Sequence, residues 1–168
     1  MWRSFIKRVS AAAAGASTAA LAVSANAAVA APFHLDFPAG EACTFGLAVD
    51  GVGGDQRVTR EFVDANGNIV RVLSAGRGHQ LTFTNLSSNA TFALPASGAV
   101  MNTVSNADGS QTVTLTGNNV LILFPSDVPA GPSSMLYVGR VVFTVAPNGV
   151  FTLESTSGRA TDICAALS

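Results

Sequence analysis

The chain contains little charge and few of the residue types that most catalytic and nucleic-acid-binding sites use. Lys7 is its only lysine, Trp2 its only tryptophan and Tyr137 its only tyrosine, and charged residues make up 11% of the whole. The arginines are scattered, which excludes the basic stripe of a nucleic-acid-binding protein. The chain also has no polybasic cluster after its first residues, which argues against a protein that binds anionic membrane surfaces.

The first thirty residues have the pattern of a secretory signal peptide. A positive start that includes Lys7 precedes an apolar stretch of small residues at 9–23, and small-x-small cleavage sites end at Ala27 and Ala30. We predict that residues 1–30 are removed and that residues 31–168 form one domain. The alternative is a transmembrane anchor, but the stretch is shorter and richer in alanine than the ~20 strongly apolar residues that a span needs.

Removal of the signal leaves an acidic chain without lysine. Six arginines then stand against ten acidic residues, which gives residues 31–168 a net charge of −4. Most of the exterior is therefore expected to consist of Ser, Thr, Asn and Gly. The alternative is that another chain covers part of the surface. The predicted location is extracellular or at the cell envelope.

The two cysteines predict a single disulfide. Cys43 and Cys164 are 121 positions apart, and in an exported chain only one intramolecular pairing of them exists. Two buried thiols or an intermolecular bridge are the alternatives. Without clustered histidines the pair lacks the ligands of a zinc site, so neither a metal nor a cofactor is predicted.

After the signal, apolar residues recur with a period of two, as in β-strands. Short runs rich in Val, Phe, Thr and Leu, separated by turn residues, predict about nine or ten strands. The first is expected over residues 42–49 with Cys43 facing inward, and Asn66-Gly67 predicts a hairpin turn. Gly117-Asn118-Asn119 predicts a turn between two separate strands. The predicted fold is all-β, a single antiparallel β-sandwich of the jelly-roll or Ig-like kind. The alternative is an up-and-down β-barrel.

The longest irregular stretch, residues 125–134, is the first candidate for a binding loop. Three prolines exclude a central strand there, and long loops on rigid sheets commonly carry function. The candidate binding residues are Ser126, Asp127, Pro129, Gly131 and Pro132. A second, weaker candidate is a cation site formed by Asp50 and Asp55, which bracket a glycine-rich loop.

No group of residues in the sequence predicts a catalytic centre. His34 is expected in a flexible start of the mature chain, and His79 is interpreted as a residue at a strand edge. The chain has no Gly-x-Ser-x-Gly elbow and no phosphate-binding glycine loop. The scarcity of Tyr and Trp also disfavours stacking on carbohydrate.

Several short blocks resemble a group of small secreted actinobacterial β-rich proteins of unknown function. The blocks lie at residues 43–47, 66–67, 70–73, 81–85, 123–127, 131–133, 137–140 and 162–164. The resemblance extends over nearly all of residues 31–168. It implies export and a single β domain, and it supplies no catalytic residue.

These observations predict an exported, non-enzymatic β domain that acts as a binding or structural module. Its partner is expected outside the cell or at the cell envelope. The alternatives are a secreted hydrolase that uses His79 or acidic residues, and an oligomeric protein that builds a surface structure.

Overall fold

A computed structural model describes residues 31–53 and 56–168, so the predicted signal peptide lies outside the described residues. None of the helical segments in these two ranges has the length and apolar character that a membrane crossing requires. The elements, in chain order, are β1 (Phe33–Phe37), β2 (Leu47–Val52), β3 (Gln56–Val63), β4 (Ile69–Arg77), β5 (Gln80–Asn85), β6 (Thr91–Leu94), β7 (Gly98–Ser105), β8 (Gln111–Leu123), β9 (Ser133–Val145), β10 (Phe151–Asp162) and α1 (Ile163–Ala166).

The strands form two antiparallel sheets, which confirms the all-β, antiparallel prediction. One sheet has four strands in the order β1-β2-β5-β6, and the other has six in the order β10-β9-β8-β7-β4-β3. Both sheets are open over the described residues, so these strands do not close into the single up-and-down barrel that was the alternative prediction.

A row of glycines crosses the long strands of the six-stranded sheet. Gly117 of β8 lies opposite Gly139 of β9, which lies opposite Gly158 of β10. Their φ angles are 98°, 148° and 97°. A Cβ atom on Gly139 would lie 2.1 Å from the backbone oxygen of Ser157. Only glycine combines this backbone geometry with such a close approach of the next strand.

The long strands are sharply bent, because the opposite ends of the β8–β9 hairpin meet. A straight strand of the 13 residues in β9 would span about 40 Å. Yet one carboxylate, that of Asp127, accepts hydrogen bonds from the N–H of Phe124, just after β8, and from the N–H of Phe151, which pairs with the far end of β9. We infer that the strands bend at the glycine row.

The side chains on the inside of this bend form one apolar core. Side chains on the opposite face of β8, after the bend, contribute to a second core. The first core contains Val113, Leu115, Leu121, Leu123, Tyr137, Val141, Phe143, Val145 and Phe151. The second joins the inner face of the four-stranded sheet, around Leu47 and Phe83, to Val120 and Ile122 of β8 and to Ile163 of α1. Side chains that alternate along β8 therefore enter different cores.

Three local predictions were wrong. His34, expected in a flexible start of the mature chain, lies on β1. The strand expected at 42–49 begins only at Leu47, so Cys43 lies in the connection before it. The predicted turn at residues 117–119 is instead the bent middle of β8. The ten strands of the described residues agree in number with the prediction, because the strand that was missed offsets the one that was split in two.

Candidate functional site

Asp127, in the predicted binding loop, serves the fold. It is 3% exposed, and its two oxygens accept the N–H groups of Phe124 at 2.7 Å and Phe151 at 3.1 Å. The backbone N–H of Gly131 donates to the Phe124 oxygen at 2.9 Å. A ligand would reach Asp127 only by disrupting these contacts. Of the other candidate residues, Gly131 and Pro132 are half-buried, and those exposed to solvent are Ser126 and Pro129.

Of the two candidate cation ligands, the structure describes only Asp50, since Asp55 lies outside the described residues. Asp50 is on β2, where its Oδ1 lies 2.6 Å from Nδ1 of His34. The described residues contain no group of three or more His, Cys, Asp and Glu side chains that could hold a metal ion.

His34 lies between two carboxylates on the outward face of the four-stranded sheet. It stands opposite Asp50 in the β1–β2 register, and its Nε2 is 3.2 Å from Asp36. The Asp50 hydrogen bond, followed by that of Asp36, raises the pKa of His34. Since both ring nitrogens then donate, this arrangement favours the charged imidazole. Sequence reasoning missed the cluster, although the alternation in residues 33–37 was the signal for a strand.

His79 is in the connection between β4 and β5, beside the apolar side of β1. Its ring meets the ring of Phe33 edge-on, with 5.1 Å between the centroids. In the described part of the chain, no acidic side chain bonds to it, and its Nε2 is buried without a hydrogen-bond partner. The contacts around His79 are thus those of a packing residue.

The predicted disulfide between Cys43 and Cys164 is confirmed, with 5.6 Å between the Cα atoms. It ties the connection between β1 and β2 to helix α1. Cys43 is fully buried, as is Ile163, and the backbone oxygen of Ala42 accepts a hydrogen bond from the buried hydroxyl of Ser134 at 2.9 Å. This end of the molecule is therefore firmly packed.

The β3–β4 hairpin exposes an unusual amount of apolar surface. Val58 is 70% and Val63 60% exposed. We call the following five side chains the apolar hairpin surface: Val58, Phe62, Val63, Ile69 and Val70. They lie on both faces of the hairpin, because Val58 and Phe62 alternate with Val63 along β3. No analogous feature was predicted from the sequence.

The hairpin is also held in shape by polar contacts. Oδ1 of Asp64, at its turn, accepts the backbone N–H groups of Asn66 at 2.8 Å and Asn68 at 2.9 Å. Hydrogen bonds, first of all the one from the Asn68 side chain, lower the pKa of Asp64. The guanidinium of Arg71 lies 5.1 Å from the centre of the Phe62 ring. The exposed apolar side chains therefore stand on an ordered support.

A shallow groove of about 410 Å³ borders the glycine row between Gly76, Val100 and Gly117. Among the described residues that line it, Arg77 has the only titratable side chain, which donates to the backbone oxygen of Ala96 at 3.1 Å. Without an acid or a base beside it, this groove lacks the groups for proton-transfer chemistry.

Comparison with known proteins found no matching family model, no matching curated protein and no matching solved structure. The function of the chain is therefore inferred from its own surfaces and contacts.

Proposed function

We propose that this chain is an exported, non-enzymatic binding module and that the apolar hairpin surface is where it binds. One observation carries the proposal: of nine exposed large apolar side chains in the described residues, five are on the β3–β4 hairpin. Single exposed apolar residues are ordinary, but clusters of them mark interaction sites on soluble proteins.

The rest of the domain is a rigid base for this hairpin. We take the two sheets to pack face to face as a β-sandwich, since Val120 and Ile122 of one sheet share a core with Leu47 and Phe83 of the other. The disulfide fastens helix α1, at the C-terminal end of the chain, to the same core. A rigid base lowers the entropy that is lost when a partner is bound.

Export to an oxidising compartment is part of the proposal. A disulfide suits the extracellular space or the cell envelope, and residues 1–30 have the pattern of a signal peptide. The resemblance to small secreted actinobacterial proteins supports the same location. A hydrolase has less support, since His79 packs on Phe33 and no described acidic residue bonds to it.

Binding of the labelled, oxidised protein to the outer surface of the cells that produce it tests the proposal. We expect saturable binding that weakens about tenfold or more in the double variant Phe62→Ser/Val63→Ser, because burial of apolar anchors dominates such contacts. The matched control is Val128→Ser, since Val128 is 53% exposed but lies away from the hairpin. Equal effects of the two changes, or none from either, would refute the hairpin as the binding surface.

A further inference from the structure

Strand β3 presents an open edge to solvent. It pairs with β4 on one side and is the last strand of the six-stranded sheet in the described residues. Seven of its eight residues are exposed. Such an edge offers a row of backbone N–H and C=O groups to another strand, and proteins usually protect it. Here three of the eight side chains of β3, those of Val58, Phe62 and Val63, are both apolar and exposed.

The side chains of β3 divide into two faces. Thr59 faces Ser74 of β4, and their hydroxyl oxygens are 3.2 Å apart. Arg57 and Glu61 are two positions before and after Thr59, so they share its face. Arg60 is on the other face, with Val58. One face of the strand thus carries a positive and a negative charge at equal distances from Thr59.

A second copy that adds to this edge around a two-fold axis must run antiparallel to it, and residues opposite each other must share a face. The pairing is then centred on a single residue. Centring on Arg60 or on Glu61 places like charges opposite each other, and centring on Val58 pairs no charges within β3. Centring on Thr59 places Arg57 of each copy opposite Glu61 of the other.

We propose that a second copy of this chain pairs with β3 antiparallel, with Thr59 at the centre, and extends the sheet across the dimer. This inference rests on the proposed function, because it names the partner of the apolar hairpin surface. Two cross-strand Arg57–Glu61 contacts set the register. Like charges disfavour the registers centred on Arg60 and Glu61, and the register centred on Val58 lacks both opposite-charge contacts. On the other face, each Val58 lies beside the stem of the partner's Arg60.

Sedimentation equilibrium of the purified chain with its disulfide intact tests this pairing. We expect a dimer whose dissociation constant rises about tenfold or more in Arg57→Glu and in Glu61→Arg, because each change creates two like-charge contacts. The double variant Arg57→Glu/Glu61→Arg restores opposite charges and is expected to restore the dimer. Arg60→Glu is the control, since it changes a charge on the face where no charge lies opposite.

A wild-type chain that stays monomeric up to about 1 mM overturns the proposal. A dimer whose dissociation constant is unchanged by the single charge reversals also overturns it, as does failure of the double variant to restore the dimer. Melting curves of the four variants show that each is folded. If the chain is monomeric but still binds the cell surface through the hairpin, self-pairing fails while the proposed function stands.

Discussion

The carboxylate of Asp127 accepts the backbone N–H of Phe151 at 3.1 Å, and this contact joins two strand ends that a flat sheet would hold far apart. Its other oxygen accepts the N–H of Phe124 at 2.7 Å. The adjacent Val128 exchanges backbone hydrogen bonds with Phe151 and Leu153, at 2.8 and 2.7 Å. A loop that reads as a binding element in the sequence thus closes the bent sheet.

Replacement of Asp127 is therefore expected to destabilise the fold. Asp127→Ala leaves two N–H groups without their acceptor, and a hydrogen bond to a charged group contributes about 1.5–3 kcal/mol, so we expect a loss of at least 2 kcal/mol. Asp127→Asn keeps one acceptor oxygen and should cost less. Urea denaturation of the oxidised protein measures both. Ser126→Ala, at an exposed neighbour, is the control. If Asp127→Ala lost no more stability than this control, the hydrogen bonds of Asp127 would not be what holds the bend.

The glycine row makes a second prediction about stability. A Cβ on Gly139 would lie 2.1 Å from the Ser157 oxygen and would impose a disfavoured φ of 148°. Gly139→Ala should therefore cost about 2 kcal/mol or more, from backbone strain and displacement of the neighbouring strand. Gly98→Ala is a matched control in the same sheet, because a Cβ there meets nothing within 4 Å. Similar melting temperatures for the two variants would contradict the close approach.

The period-two pattern predicted most strands because alternation reports burial on one side of a strand, which is a local property. The same reasoning failed at Gly117, where Gly-Asn-Asn suits a turn. There the backbone continues as a strand because Gly139 and Gly158 are aligned with Gly117 on the neighbouring strands. That alignment depends on register, which a single sequence does not display.

For the candidate sites too, the sequence predicted what depends on local or unique features and missed what depends on residues distant in the chain. Cys43 and Cys164 were paired correctly, because two cysteines allow one intramolecular bond. The buried role of Asp127 depends on Phe151, 24 positions away, and was not predictable from spacing. The exposure of Phe62 was missed because an alternating strand is expected to bury one face, whereas only β4 supports β3.

The disulfide is expected to contribute strongly to stability. It closes a loop with a sequence separation of 121, for which removal of a native disulfide typically costs about 2–5 kcal/mol. Cys43→Ser/Cys164→Ser should therefore unfold at a clearly lower urea concentration than the oxidised wild type. Reductant should lower the urea midpoint of the wild type and leave that of the double variant unchanged, so the double variant controls for other effects of the reductant. An unshifted midpoint would falsify a structural role for the bond.

Stability should also depend on the charge of His34. Its pKa is raised above the ordinary value of 6.5, chiefly by the hydrogen bond to Asp50. Because the folded state binds the proton more tightly, the contribution of this contact is fully present below about pH 6.5 and is lost as the pH rises through the folded-state pKa. His34→Gln should remove that part of the pH dependence, measured as urea midpoints from about pH 5 to pH 9.

An NMR titration of the His34 imidazole tests the cause directly. Asp50→Asn should lower the pKa of His34 more than Asp36→Asn does, since the Asp50 hydrogen bond is the larger cause. Glu41→Gln removes the same charge from an exposed position outside the cluster and controls for net charge. If all three variants moved the pKa equally, net charge alone would explain the shift. If His34 kept its wild-type pKa in Asp50→Asn, its hydrogen bond to Asp50 would not be the source of the pH dependence.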